Sequence, residues 1–223
     1  DTLGRFRNLL VKNELQEKLF SQVVEQLTAR GLILKKGTIV DSTIIAAPTS
    51  TKNKERKRDS DAHQTRKGNT WYFGYKAHIG VDKDSGLTHT VKATPANIHD
   101  VTMMSELLTG EEEVVYGDSG YLGAEKREEA IVKNRSGKLI KYKLNRRPSQ
   151  SKDNSVRSKA QIKRREREKS SVRSKVEHVL GVVKGLLRYR KTRYKGLRKQ
   201  TAKLNIMFAL ANLILAGRPH LAA

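Results

Sequence analysis

The first 30 residues carry apolar side chains at helical spacing. The repeat consists of Leu9, Leu10, Leu15, Leu19, Val23 and Leu27. Most of these positions lie four residues apart, which predicts one apolar helix face that ends before Gly31. The pattern then changes, because Thr38 to Ile45 is rich in β-branched residues. This stretch predicts a buried strand, with Asp41 in its middle or at its end.

Polar and strand-like stretches alternate over the next 50 residues. Residues 49–70 are polar and charged without any period, which predicts an exposed loop. Residues 71–82 and 86–95 predict two strands. The connecting Lys83-Asp84-Ser85-Gly86 is a hairpin signature, so we expect the two strands to pair in antiparallel orientation.

Shorter elements follow the hairpin. Ile98 to Leu108 predicts a helix, with His99-Asp100 at its start, where a carboxylate is favourable. Glu113 to Tyr116 predicts a short strand that runs into Gly117-Asp118-Ser119-Gly120. We predict a further helix over residues 124–133 and a further strand over residues 139–144.

The last 80 residues combine a basic stretch with two helical patterns. Between residues 141 and 169, Lys and Arg outnumber acids by twelve to three, and residues 145–168 are almost free of apolar side chains. Residues 169–188 predict an amphipathic helix, because apolar side chains recur three and four positions apart. These are Val172, Val176, Val179, Leu180, Val183 and Leu187. A basic linker leads to a final helix predicted over residues 201–216.

The order of the elements predicts an α/β fold. Three early strands can form an antiparallel meander, and the later strand–helix–strand units are typical of parallel crossovers. The pattern therefore predicts a mixed sheet with helices on its faces. No membrane span is predicted, because the most apolar stretch, Leu204 to Ala216, contains two Asn and is shorter than the ~20 residues that a bilayer needs.

The net charge of the chain indicates which kinds of molecule it binds. Its 223 residues include 46 Lys and Arg against 23 Asp and Glu, which gives a formal net charge of +23. Such a charge predicts strong attraction to a polyanion, with nucleic acid as the default. The alternative is a basic ribosomal or architectural protein without any chemistry. The absence of Cys excludes disulfides, thiolate zinc sites and cysteine nucleophiles.

Three carboxylates stand at unusual positions. Asp41 interrupts an apolar strand, where an unpaired acid is costly to bury. It is either a metal ligand or a strand-end acid that caps a turn through Ser42 or Thr43. Asp118 directly follows a strand, where open α/β sheets place their ligands, although Asp-Ser-Gly also makes good turns. Glu177 lies in the amphipathic helix and alone fits a solvated face.

Two cations share the predicted helix face of Glu177. Arg173 precedes it by four residues and Lys184 follows it by seven, and at ~3.6 residues per turn all three lie on one side. A carboxylate between two cations suits a site that binds a metal together with a phosphate. It also suits an ordinary salt bridge between residues four apart.

Taken together, the three acids and the order of elements form a ribonuclease-H-like arrangement. The sequence here resembles the DDE transposases of bacterial insertion sequences, in particular the insertion-sequence-five family. The segments that carry the resemblance are GTIVDSTIIAAP, FGYKAHIGVDKDSGL, ANIHD, VVYGDSGYLG and RSKVEHVLGVVKG. The last segment fits the related families' Tyr-x2-Arg-x3-Glu-x6-Lys signature at Arg173, Glu177 and Lys184, with Ser170 in place of the tyrosine.

The resemblance implies a domain organisation. It implies a ribonuclease-H-like mixed five-stranded sheet flanked by helices, with N-terminal and C-terminal helical segments. Residues 1–34 are then the remnant of an N-terminal helical region, because TLGRFRNLL resembles the tail of that region and suggests missing residues upstream. Residues 35–190 are the catalytic domain with a basic insert at 145–168, and residues 191–223 are a basic linker and C-terminal helix.

The resemblance also implies the chemistry. Asp41, Asp118 and Glu177 become the ligands of two Mg²⁺ or Mn²⁺ ions, which prefer oxygen donors. Water attacks first at the element's end and frees a 3′-OH, which then attacks target DNA. The implied partners are double-stranded DNA, as element ends and as target, and further copies of the chain in the active complex. The implied location is the bacterial cytoplasm, at the nucleoid.

Several further residues are candidates for contact with DNA. Arg173 and Lys184 are candidates for phosphate contact beside the ions. Basic side chains of the insert and of the linker 188–200 are most simply surfaces for the DNA backbone. In the insert we single out Lys163, Arg164, Arg165 and Arg167.

Other polar and aromatic residues fit structural roles as well as functional ones. For His99 and Asp100 a helix N-cap is at least as good an interpretation as a direct catalytic role. For Lys76 and His78, on a predicted strand, we favour structural packing. For Trp71 we favour the core over stacking on a flipped base.

Two rival functions remain open at this point. A nuclease or resolvase on the same fold would cleave without strand transfer, and detection of joined products separates it from a transposase. A non-catalytic basic DNA-binding protein predicts no convergence of the three acids and DNA affinity that is independent of Mg²⁺.

Overall fold

A six-stranded mixed sheet organises the chain in the computed structural model, which describes residues 2–146 and 156–217. The strands are β1 (Gly37–Ala46), β2 (His63–Lys67), β3 (Thr70–Asp82), β4 (Thr88–Pro95), β5 (Val114–Gly117) and β6 (Lys141–Leu144). Strand β1 is central, with β3 antiparallel on one side and β5 parallel on the other. Strand β6 continues the parallel half beside β5.

The long strand β3 has two partners along its outer edge. Its first residues pair with β2, and the rest pair with β4. Gly74 marks the change, because it pairs with His63 of β2 on one side and Ala46 of β1 on the other. The sheet is therefore five strands wide, in the order β4-β3-β1-β5-β6, and β2 is an extension of its edge. This width agrees with the predicted five-stranded ribonuclease-H-like sheet.

Helices flank the sheet. They are α1 (Thr2–Lys12), α2 (Leu15–Ala29), α3 (Met104–Leu107), α4 (Val156–Arg173), α5 (Lys175–Gly181) and α6 (Leu197–Ala216). Single 3₁₀ turns occur at Asp100–Met103, Ser119–Tyr121 and Ala124–Lys126, and a π-helical turn at Val182–Leu186 follows α5. Within the described ranges no helix is both long and apolar enough to cross a membrane.

Alternating residues of β1 supply two separate cores. Ile39 packs in the larger core, with Val176 and Val179 of α5 and with apolar residues of α2 and α6. Val40 packs in the smaller core on the opposite face, where Tyr121 is also buried. Successive side chains of a strand point to opposite faces, so the apolar run of β1 is buried on both sides. The predicted buried strand is confirmed.

Helix α6 fastens the end of the chain to the sheet. It packs against α2 and β4. The fully buried Asn212 accepts a hydrogen bond from the backbone nitrogen of Thr88 at 2.8 Å and donates to the carbonyl oxygen of Thr88 at 2.7 Å. The edge of β4 is thus satisfied by a side chain from a residue 124 positions later.

Two segments differ from their predicted structure. Strand β2 lies within the predicted exposed loop 49–70, and none of its side chains is buried. It forms through backbone pairing with β3, so no apolar alternation reveals it. The helix predicted over residues 124–133 is wrong beyond its first turn, because the chain then runs to a bridge between Lys133 and Leu139. Ile131 and Val132 are adjacent and cannot form a helical apolar face.

Three predicted helices have different limits in the structure. The N-terminal helix is divided in two, because Glu14 adopts a left-handed backbone conformation with φ of 54°. The helix predicted over residues 98–108 is a 3₁₀ turn followed by the short α3. The helix predicted from residue 169 has its buried apolar stripe, but it begins earlier, at Val156, and is interrupted at Ser174. Residues 147–155 of the predicted insert lie outside the described residues.

Candidate active site

Asp41 lies in the middle of β1, opposite Ile79 of β3. Its carboxylate accepts a hydrogen bond from the backbone nitrogen of Ser42 at 2.7 Å. The side chain is only 20% exposed. Burial raises the pKa of Asp41 to about 6, and the negative charges of Asp118 and Glu177 contribute to the same rise. The position in mid-strand removes the alternative of a strand-end acid that caps a turn.

Asp118 directly follows β5, the strand that pairs in parallel with β1. The last registered pair of these two strands is Ile39 with Tyr116, so Asp41 and Asp118 each lie two residues beyond it. The carboxylate of Asp118 also accepts a hydrogen bond from the backbone nitrogen of Gly120 at 2.8 Å, at the start of a 3₁₀ turn. Asp118 therefore has both features expected from the sequence. It shapes the turn, and it lies after a parallel strand, where α/β folds place ligands.

Glu177 is an exposed residue of α5, between the buried Val176 and the start of the next turn. Its charge acts on Asp41 from one side and on Lys184 from the other. In residues 2–146 and 156–217, however, no three Asp, Glu or His side chains lie together closely enough to hold a metal ion. The assignment of the three carboxylates as metal ligands therefore stays a prediction.

Arg173 is the cation beside Asp41. Its guanidinium nitrogen Nη2 lies 3.9 Å from Asp41 Oδ2, and Nη1 donates a hydrogen bond to Asn145 Oδ1 at 3.0 Å. Its Nε is buried without a hydrogen-bond partner among the described residues. Arg173 lowers the pKa of Asp41, but its effect is smaller than that of burial. Arg173 therefore compensates the negative charge of Asp41 only in part.

Lys184 lies in the π-helical turn after α5 and does not extend freely into solvent. Its Nζ donates a hydrogen bond to the carbonyl oxygen of Ile44 at 2.8 Å, near the end of β1. Burial lowers the pKa of Lys184, and the nearby cations Lys67 and Arg190 lower it further. This contact places a partly desolvated ammonium group at the end of the strand that carries Asp41.

A second charged cluster centres on Asp100. Its Oδ1 lies 3.0 Å from Lys76 Nζ and 3.7 Å from His78 Nδ1. Lys76 also donates to the carbonyl oxygen of Ile98 at 2.8 Å. His78 is fully buried and shares a 2.8 Å hydrogen bond with Thr94. Burial lowers the pKa of His78 to about 4, so the imidazole is neutral at pH 7.

This cluster refines the roles expected from the sequence. His99 stands at the N-cap position of the 3₁₀ turn, but its side chain makes no capping hydrogen bond. Asp100 binds Lys76 instead of capping the turn. Lys76 and His78 are two positions apart and lie on the same face of an otherwise apolar strand. Two polar residues on one face of an apolar strand indicate that a charged partner, here Asp100, packs against that face.

Tyr121 and Gly120 join the Asp100 cluster to Asp118. A Cβ atom on Gly120 would lie 2.9 Å from Asp118 Oδ1 and 3.8 Å from Asp100 Oδ2, so glycine leaves room for both carboxylates. The hydroxyl of Tyr121 is buried without a partner among the described residues. Burial raises its pKa, and the charges of Asp100, Asp41 and Asp118 raise it further. Sequence reasoning missed Tyr121, although it immediately follows the Asp-Ser-Gly turn.

The remaining candidates lie away from the carboxylates. Trp71 is 64% exposed and pairs with Arg66 across the β2–β3 hairpin, so its predicted core position is wrong. The hairpin projects past the end of β1, and Trp71 is not part of the small apolar cluster of Ala47, Ala62 and Tyr75 at that end. On α4 the predicted DNA contacts are all exposed, and Arg164 forms an ion pair with Glu168 at 3.2 Å. These exposed residues are Lys163, Arg164, Arg165 and Arg167.

Comparison with known proteins finds a family model that matches most of the chain. Residues 33–213 match the family model described as the transposase DDE domain. The match includes all six strands, the positions of Asp41, Asp118 and Glu177, and most of α6. No solved structure matches the chain.

Proposed function

The chain belongs to the transposase DDE-domain family, and from this premise we propose that it cuts DNA at the ends of an insertion sequence and joins those ends to target DNA. The observation that carries the proposal is the position of Asp41 and Asp118, each two residues beyond the last pair of the parallel strands β1 and β5, with Asp118 and Glu177 both within electrostatic reach of Asp41. Membership of the family already makes the chain a DNA-processing enzyme. The proposal adds the two reaction steps and the residues that perform them.

The donor set fits divalent metal ions. Carboxylate oxygens are hard ligands of the kind that Mg²⁺ and Mn²⁺ prefer. The raised pKa of Asp41 supports this fit, because it marks a carboxylate whose negative charge is incompletely balanced. We assign Asp41, Asp118 and Glu177 as the residues that hold two such ions. When bound, two divalent ions activate the attacking oxygen and stabilise the leaving oxygen of a phosphodiester.

The protein's own side chains position the DNA. Arg173, at 3.9 Å from Asp41 Oδ2, is close enough to contact the phosphate group that undergoes attack. Lys184 is fixed by the Ile44 carbonyl at the end of β1 and neutralises a phosphate next along the strand. Asp118 keeps its orientation through the Gly120 backbone nitrogen. Preorganised groups of this kind bring the reacting atoms together without reorganisation during the reaction.

The reaction has two displacements at phosphorus. In the first, water attacks the phosphodiester at the end of the element, and the bond to the 3′ oxygen breaks, which frees a 3′-OH. In the second, that 3′-OH attacks a phosphodiester of the target strand, and the 3′ oxygen of the target leaves. Each step forms one P–O bond and breaks one, and because the attacking oxygens belong to water and to DNA, no side chain becomes covalently attached to DNA.

The basic surface of α4 supports binding of the DNA backbone. The exposed Lys163, Arg164 and Arg165 lie on a helix that leads directly to Arg173. Lys and Arg contacts to phosphates give affinity and orientation without base recognition. We propose that α4 carries the duplex toward the carboxylates, and that further copies of the chain complete the active complex at the bacterial nucleoid.

Strand cleavage and joining test the proposal. The substrate is a duplex with the ends of the encoding element, incubated in Mg²⁺ with the full-length protein and a target plasmid. We expect joined products with the wild type and none with Asp118→Asn, which is nearly isosteric and can keep the turn. Glu128→Gln is the control, because Glu128 is exposed and outside the site.

The alternatives predict different products. Cleaved but never joined DNA would identify a nuclease on the same fold. Binding without any cleavage, and unaffected by Mg²⁺, would identify a basic DNA-binding protein. Joining by Asp118→Asn at the wild-type rate would refute the assignment of Asp118.

A further inference from the structure

A concave basic pocket lies apart from the carboxylates, between α1, the linker that follows the π-helical turn, and the first turns of α6. Its volume is about 450 Å³, and no acidic side chain of the part of the chain that the structure describes lines it. Six cations do: Arg7, Arg188, Lys191, Arg193, Lys199 and Lys203. Among the described residues none of these six has a carboxylate within 4 Å. The pocket thus concentrates positive charge without compensation.

Burial and the neighbouring cations change the pKa of one lysine in the pocket. Burial lowers the pKa of Lys203, and the positive charges of Arg193 and Arg7 lower it further. Like charges held together in this way raise the free energy of the empty pocket. An anion that enters the pocket relieves this repulsion with several cations at once. The charge pattern therefore favours a polyanion over a neutral ligand.

The walls of the pocket are fixed by the protein itself. Gln200, almost fully buried, accepts a hydrogen bond from the Tyr189 hydroxyl at 2.5 Å and donates to the backbone carbonyl of Tyr194. The guanidinium group of Arg7 stacks over the Tyr194 ring at 4.6 Å, which attaches α1 to the linker. Because these contacts hold the linker in place, its cationic side chains extend from a fixed backbone.

The linker also ties the pocket to the active site. The backbone nitrogen of Ala46 donates to the carbonyl oxygen of Arg190, and that of Thr192 donates to the carbonyl oxygen of Ala46, so Lys191 pairs in parallel with the last residue of β1. Arg190 Nε donates to the carbonyl oxygen of Lys184 at 2.8 Å. Ala46 is five residues from Asp41, which at a rise of ~3.3 Å per residue is about 16 Å. DNA presents one phosphate per ~3.4 Å of each strand, so this span covers about five base pairs.

We propose that this pocket is a second DNA-binding site, which holds backbone phosphates of the same duplex about five base pairs or more from the bond that the carboxylates act on. The inference rests on the proposed function for the identity of the ligand and extends it to a surface outside the catalytic residues. Its role is to fix the direction in which the duplex leaves the active site.

The test is the salt dependence of binding to a fluorescent, mixed-sequence duplex without divalent ions, so that cleavage plays no part. The variant is Arg193→Gln with Lys199→Gln, and the matched control is Lys126→Gln with Lys133→Gln, which removes the same charge from an exposed surface elsewhere. Two lost phosphate contacts reduce the slope of log affinity against log salt by about 1.8. We expect this change in the pocket variant and none in the control.

A second arm varies the length of the duplex. For full-length duplexes the pocket variant binds more weakly than the control, and for duplexes too short to span the two sites the difference disappears. Equal slopes for the two variants on the long duplex overturn the proposal. A second result also overturns the proposal: the pocket variant loses binding of a fluorescent nucleoside triphosphate, while its slope of log DNA affinity against log salt is unchanged. The pocket would then bind a free nucleotide. Thermal unfolding verifies the fold, and Lys191→Gln with Lys203→Gln replaces any variant that unfolds.

The outcome is independent of the catalytic assignment. A chain that binds DNA through the pocket but joins no strands refutes the proposed reaction and leaves the pocket in place. A chain that joins strands, with equal slopes for both variants, refutes the pocket alone.

Discussion

The carboxylates of Asp41 and Asp100 both act on the buried hydroxyl of Tyr121, but their negative charges are balanced differently. Asp100 has the ammonium group of Lys76 at 3.0 Å, and that lysine is held by a backbone carbonyl as well. The cation within 4 Å of Asp41 among the described residues is the guanidinium group of Arg173, at 3.9 Å, and burial raises the pKa of Asp41 to about 6. One acid has a complete internal partner, whereas the other retains negative charge for a cation from outside. Proximity of acids alone does not distinguish a catalytic site from a structural ion pair.

The largest expected difference between the two acids is in catalysis. Asp41→Asn removes the charge that a divalent ion requires, so the rate of strand cleavage in Mg²⁺ falls by several orders of magnitude. Asp100→Asn keeps the catalytic carboxylates, so its rate falls by less than about tenfold, or ~1.4 kcal/mol in activation free energy. Single-turnover cleavage measures both. Equal losses would mean that Asp100 belongs to the catalytic group.

Folding stability should change in opposite directions. Because the folded pKa of Asp41 exceeds its ordinary value of 3.8, its charge destabilises the fold at pH 7. We expect Asp41→Asn to raise the free energy of unfolding by about 1–3 kcal/mol, at ~1.36 kcal/mol per pKa unit. Asp100→Asn leaves Lys76, whose side chain is 12% exposed, without its carboxylate, which costs about 2–3 kcal/mol. Urea denaturation without divalent ions measures both, and changes of the same sign would contradict the comparison.

The pH dependence of stability follows from the same groups. The pKa of His78 is about 4 in the fold against 6.5 ordinarily, so its contribution is present above pH 6.5 and is lost as pH falls toward 4. Asp41 acts oppositely, since its raised pKa means that the fold takes up a proton first and gains stability as pH falls from about 6 toward 4. Asp41→Asn removes this gain. Its stability should therefore drop more than that of the wild type between pH 7 and pH 5, by about 1 kcal/mol.

The smallest expected difference concerns the two lysines. Lys184 donates to a backbone carbonyl and has no carboxylate within 4 Å in residues 2–146 and 156–217, so its charge is available to a phosphate, whereas Lys76 is paired with Asp100. Lys184→Gln should reduce the salt slope of DNA affinity by about 0.9, the value for one phosphate contact. Lys76→Gln should leave that slope unchanged. Equal slopes for both variants would show that Lys184 does not contact DNA.

The sequence predicted best those elements that have an apolar pattern. Strand β1 and the stripe of α5 bury side chains at regular spacing, and both follow the expected periods. Strand β2 has no buried side chain, so only its backbone pairing with β3 defines it. Trp71 was misplaced for a related reason: it lies on β3, but on the part that extends past the core.

The candidate site likewise has features that the sequence predicts and features that it does not. The strand order explains why Asp41 lies on β1 and Asp118 directly follows the neighbouring parallel strand β5. The partner of Asp100 could not be derived in that way, because Lys76 is 24 residues earlier on a different strand. The pocket depends on a left-handed residue, Arg188, and on the packing of α1 against the linker, neither of which leaves a periodic trace.

The contact between Asn212 and Thr88 has a consequence for biosynthesis. A ribosome adds ~5–20 residues per second, so the 124 residues between these two take about 6–25 s to synthesise. During that interval β4 exists without the helix that covers it and without the amide that satisfies its backbone. A nascent chain that stops before α6 lacks this cover, so apolar side chains of the larger core, such as Val91, remain in contact with water. Completion of this core therefore depends on translation through α6.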